Sequence, residues 1–76
     1  MNIEVSHTAL KYLKKLDKKR VNRIMNAIKN LPDGDVKKLR GSDKYRLRIG
    51  EYRAIFTKDD ANIFIESVSP RGDAYK

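Results

Sequence analysis

The sequence predicts an α+β fold, β-α-α-β-β-β, in which an antiparallel sheet carries a two-helix hairpin packed on one face. Three observations lead there. Apolar residues recur at helical spacing between residues 7 and 31, the period drops to two after residue 44, and polar or Gly/Pro-containing segments separate the periodic stretches. A chain of 76 residues is enough for one domain, taken here as 1–76. There are no cysteines, so the core has to rest on packed aliphatics and on Tyr12, Tyr45, Tyr52, Phe56 and Phe64.

Taking the elements in order, residues 1–5 form a short strand with Ile3 and Val5 on one face. Ser6 is placed to cap a first helix, its hydroxyl accepting from a backbone N–H that has no helical partner. Leu10, Leu13 and Leu16 line that helix, and Asp17 is the N-cap of a second one. Val21, Ile24, Met25, Ile28 and Leu31 follow the i, i+3, i+4, i+7 pattern. Pro32-Asp33-Gly34-Asp35 ends it, because proline supplies no N–H and glycine permits a sharp turn. Residues 36–43 form a polar connector. A strand beginning at Tyr45 alternates Tyr45, Leu47 and Ile49 with Arg46 and Arg48, and Gly50-Glu51 turns it back. Residues 52–58 form the next strand, Asp59-Asp60-Ala61-Asn62 the next turn, and residues 63–68 the last strand, ended by Pro70.

Charge dominates the composition: 18 Lys and Arg against 10 Asp and Glu, net +8. Such a chain attracts polyanions, either nucleic acid or an acidic protein. Two basic blocks, residues 1–32 and 36–58, precede a nearly neutral end that holds one isolated arginine, Arg71. No apolar run approaches the roughly 18–20 residues of a membrane span, and the first residues have neither a basic region nor an apolar core of a signal peptide. The expected location is cytoplasmic, with no membrane partner. With helices on one face of the sheet, alternation sends Arg46 and Arg48 to the other, where they make either a solvated surface or a phosphate-binding one. Arg53 can act likewise or form an ion pair with Glu51 or Asp73. The lone histidine, His7, stands at a helix start. Asp17, Asp59 and Asp60 read as cap and turn residues, so no metal or other cofactor is expected.

Three segments taken together carry a family resemblance. They are Lys38-Leu39-Arg40-Gly41, then Tyr45-Arg46-Leu47-Arg48-Ile49-Gly50-Glu51-Tyr52-Arg53, then Pro70-Arg71-Gly72-Asp73-Ala74-Tyr75. They resemble the K-L-x-G approach, the Y-[RK]-x-[RK]-x-G-x-Y-R hairpin and the terminal [HP]-R-x-x-x-Y of the RelE/ParE superfamily of toxins. The resemblance implies a metal-independent, ribosome-dependent endoribonuclease that cuts mRNA in the ribosomal A site. In that chemistry the ribose 2′-OH attacks the adjacent phosphate, leaving a 2′,3′-cyclic phosphate and a 5′-OH. It assigns catalytic roles to Arg46, Arg48, Arg53, Arg71 and Tyr75. Arg53 would face the extra charge of the transition state, Arg71 the leaving oxygen, and Tyr75 the substrate by stacking or hydrogen bonding. Lys38, Arg40 and Lys44 are added as RNA-binding positions. The implied partner is an acidic, RelB-like antitoxin, in a toxin–antitoxin heterotetramer.

The best-known members have lysines where this chain has Arg46 and Arg48. Lysine can lose its proton when neighbouring cations depress its pKa, whereas arginine effectively cannot. Electrostatic stabilisation is therefore the expected main catalytic contribution, and Glu51 and Glu66 remain open as proton acceptors. Two other functions stay in view: a ParE-like, non-enzymatic gyrase inhibitor, and a basic RNA-binding module with a decayed catalytic set.

Overall fold

The computed structural model describes residues 2–70. Within them the order is β1 (Asn2–Val5), α1 (His7–Leu13), α2 (Lys18–Lys29), β2 (Asp35–Lys38), β3 (Tyr45–Ile49), β4 (Tyr52–Lys58) and β5 (Asn62–Pro70). Both anticipated caps are present. The Ser6 hydroxyl accepts from the Ala9 N–H at 3.0 Å and donates to the Glu66 carbonyl at 2.6 Å, so the cap also fastens α1 to β5. The Asp17 carboxylate accepts from the Arg20 N–H at 2.9 Å. The β3–β4 turn uses Gly50 at φ +57°, in the left-handed region that a side chain disfavours. In the β4–β5 turn, Asp59 accepts from the N–H groups of Ala61 and Asn62. These two bonds hold its carboxyl below the usual range.

The sheet is ordered β1-β5-β4-β3-β2. The α+β class and the element order are as the sequence predicts, with two differences of detail. The sheet is mixed, because β1 pairs parallel with β5 while all other pairs are antiparallel. First and last strands become parallel neighbours once the helical hairpin carries the chain over the sheet to its far edge. The connector is also not wholly irregular. Residues Asp35–Lys38 form an edge strand on β3, and the Leu39 N–H donates to the Lys44 carbonyl at 2.9 Å across the turn that follows.

Ala9, Leu13, Ile24 and Ile28 from the helices close over Leu47, Ile49, Tyr52, Ala54, Phe56, Ile63, Ile65 and Val68 from the sheet. Ile65 and Val68 are three apart, yet both face the helices. The register explains this: Phe56 pairs with Ile65 while Ile55 pairs with Ser67, so Glu66 is an extra residue in a β-bulge and the alternation resets after it. Tyr52 and Phe56 are buried, and Tyr12 and Tyr45 pack at the core margin. Phe64 corrects the expected core: it is 40% exposed, because its neighbours Ile63 and Ile65 take the inner face.

Candidate nucleic-acid interface

The inner face of the sheet is filled by helices, so alternation delivers the polar members of β2, β3 and β4 to the opposite face. The register arranges them in rows. Asp35, Arg48, Arg53 and Ser69 lie side by side across β2, β3, β4 and β5. The next row is Lys37, Arg46, Ile55 and Ser67. Four cations thus occupy two adjacent rows, with Arg48 and Arg53 as direct cross-strand neighbours.

A cleft of about 460 Å³ opens beside these rows, lined by Lys37, Lys38, Leu39, Arg40, Arg46 and Arg53. Five of those six side chains are cationic. The wall is made by β2 and the start of its turn folding against the β3–β4 hairpin, which is why residues far apart in the alternation pattern share one opening.

Of the residues singled out from the sequence, Lys38, Arg40, Arg46 and Arg53 line the cleft. Arg48 stands in the adjacent row. Arg71 and Tyr75 lie outside the described residues. The Lys44 ammonium meets the Glu66 carboxylate at 2.9 Å, and this hydrogen bond and charge raise its pKa above the ordinary lysine value. Glu66 is thereby committed to Lys44. Glu51 lines a different cleft with Asp17, Lys19, Arg20 and Arg23. Of the two carboxylates left open as proton acceptors, Glu51 thus lies apart from the arginine rows, while Glu66, next to Ser67 of the second row, is engaged by Lys44.

Two residues of this site escaped the sequence pattern. Lys37 lines the cleft, and Asp35 reaches both arginines of β3. One carboxylate oxygen of Asp35 is 3.3 Å from Arg46 Nη2 and the other 3.9 Å from Arg48 Nη1. The signal that could have found them is the charge of the Asp35-Val36-Lys37-Lys38 segment, if read as an edge strand. The Nε atoms of Arg46 and Arg48 are buried and lack hydrogen-bond partners among the described residues, so contact with a ligand has to come from their Nη groups. Among the described residues no three His, Asp or Glu side chains are grouped to hold a metal ion. No helix there is long and apolar enough to cross a membrane.

An arginine-bearing hairpin over an open cleft, on this topology, agrees with a family match. The model of the ParE toxin of the type II toxin–antitoxin system parDE matches residues 3–75. The chain belongs to the ParE toxin family. This ParE-family toxin is also similar in structure to RelE in the RelE–RelB complex from the archaeon Pyrococcus horikoshii OT3. The identity there is 29% and the TM-score 0.78, over 93% of this chain and 94% of that one. The YoeB dimer from Staphylococcus aureus matches at 32% identity and TM-score 0.69, over 88% of this chain and 92% of that one. The heterotetrameric YoeB–YefM toxin–antitoxin complex from the same organism gives the same figures: 32% identity, TM-score 0.69 and coverages of 88% and 92%. No curated protein is similar enough to count as a match. The chain is a toxin of the RelE/ParE superfamily.

Proposed function

We propose that this toxin is an endoribonuclease that cuts translated mRNA in the ribosomal A site and so arrests translation. The observation that carries the reading is the cationic cleft, with Arg46 and Arg53 in its wall and Arg48 directly opposite Arg53. In the step proposed, the ribose 2′-oxygen forms a bond to phosphorus and gives up its proton. The bond from phosphorus to the 5′-oxygen breaks, and that oxygen takes a proton. The products are a 2′,3′-cyclic phosphate and a 5′-OH. The five-coordinate phosphate carries more negative charge than the ground state, and guanidinium Nη groups of Arg53 and Arg46 stabilise it by donation. Arg48, Lys37, Lys38 and Arg40 hold neighbouring phosphates. Arg71 and Tyr75 retain the roles that the family resemblance gives them, at the leaving oxygen and on the substrate.

Sequencing RNA 5′ ends after brief expression tests the proposal. Cuts at fixed positions within translated codons support it, and an Arg71→Ala variant should remove both the cuts and growth arrest. A second reading, gyrase inhibition without catalysis, is favoured by the family model, which is that of ParE. Loss of supercoiling by purified gyrase, with RNA left intact, would select it. RNA binding with neither effect would point to a basic binding module.

The same proposal includes an acidic antitoxin, in line with the RelE–RelB and YoeB–YefM complexes of the similar structures. An apolar groove of about 510 Å³ between α1 and α2 is lined by Leu10, Leu13, Leu16, Val21 and Met25, with Lys14 and Lys18 also in its wall. An amphipathic helix with acidic flanks fits that chemistry. Copurification with the product of the adjacent open reading frame tests this pairing, and the heterotetramer is its proposed assembly.

A further inference from the structure

Asp35 is an anomaly on the cationic face. It is the one carboxylate that the described residues bring against Arg46 and Arg48, and it sits where negative charge repels a phosphate chain. The fold puts it there by a specific route. The turn that stops α2 passes through Gly34 at φ +120°, where an added Cβ would stand 3.2 Å from the Leu47 Cδ1 atom. That close packing against β3 starts β2 at Asp35, in register with Arg48.

We propose that Asp35 is an internal counter-anion of the RNA site, holding the Nη groups of Arg46 and Arg48 until an RNA phosphate displaces it. The inference rests on the nucleic-acid reading of the cleft. Three features support displacement over a permanent structural pair. The contacts are long, at 3.3 and 3.9 Å, against the 2.7–2.9 Å typical of a tight charged hydrogen bond. The Asp35 side chain is 55% exposed, so leaving its partners exposes little new surface, whereas Arg46 is only 16% exposed and stays in place. Space is also at hand: Asp35 borders a second cleft of about 300 Å³ on the α2 side, lined also by Asn30, Asp33, Gly34 and Arg48, into which its carboxylate can leave Arg46 while staying near Arg48. The consequence is a specificity filter. Binding a single phosphate exchanges one anion for another on the same guanidinium groups. A net gain requires a chain of phosphates that also reaches Lys37, Lys38, Arg40 and Arg53.

The test measures binding, independently of cleavage, with a labelled oligo-uridylate carrying 2′-O-methyl riboses. Asp35→Asn should tighten binding by roughly two- to five-fold at low salt, and the gain should shrink as ionic strength rises. In an Arg46→Gln, Arg48→Gln background the same substitution should bring little gain, because both pairs it disrupts are gone. Asp35→Ser, compared with Asp35→Asn by thermal melting, guards against a folding defect. Unchanged or weaker binding by the folded variants would overturn the proposal while leaving RNA recognition by the wild type intact. Binding by Asp35→Asn alone would support it. Absence of binding by both proteins at low salt would overturn this proposal together with the RNA reading beneath it.

Discussion

Arg48 and Arg53 stand directly opposite each other across β3 and β4. Like charges in that position destabilise a sheet by about 0.2–1 kcal/mol, and Asp35 reaches only the β3 side, touching Arg46 and Arg48. Two guanidinium groups on facing positions beside an open cleft are placed to share one bridging anion, which lowers the repulsion between them.

Arg48→Gln should therefore weaken RNA binding without lowering stability. The expected melting temperature is equal to or slightly above that of the wild type. The log–log dependence of binding on salt should flatten by about 0.7, the value for one phosphate contact with a single strand. A titration at several salt concentrations reads the slope; an unchanged slope would make Arg48 a solvated side chain.

Gly50→Ala should destabilise the fold by about 1–2 kcal/mol, the cost of a side chain in left-handed backbone. The φ of +57° sets that cost, and the new Cβ would also meet the Arg23 guanidinium at 2.5 Å, which has to swing away. Gly50→Asn should cost less, since asparagine tolerates this region better. Denaturant unfolding of the two variants ranks them.

Leu10 is 44% exposed at the apolar groove. Leu10→Ser should destabilise the fold by about 1 kcal/mol, for a partly exposed side chain in a helix, yet leave it folded and reduce capture of the antitoxin by ten-fold or more. A calorimetric titration against the purified partner distinguishes a docking groove from an unused surface.

Asp59 supplies a pH-dependent contribution. Its carboxyl releases its proton more readily in the folded chain, because the Ala61 and Asn62 N–H groups bond to the charged form. That stabilisation is present above the ordinary carboxylate pKa near 3.8 and is lost as pH falls through the lower folded value. Asp59→Ala should consequently lower the melting temperature at neutral pH and narrow its difference from the wild type in acid. A parallel offset at every pH would show that the turn does not depend on the charge.

The sequence by itself determined the elements whose signals are local. Ser6 and Asp17 announce helix starts because a cap bonds within its own first turn. Arg46 and Arg48 declare their face because each neighbour in β3 is a core residue. The tertiary structure alone decided what depends on register and edge. Asp35-Val36-Lys37-Lys38 carries little apolar alternation, so its identity as a strand comes from pairing with β3, and with it the placement of Lys37 in the cleft and Asp35 on the arginines. The bulge at Glu66 is invisible in a period-two reading, yet it turns Val68 inward, and the Glu66 carboxylate pairs with Lys44 across the sheet. The parallel seam between β1 and β5 joins the two ends of the described chain, and no local propensity specifies which distant strand completes an edge. Periodicity records which face a residue occupies; only the pairing of strands records which residues meet there.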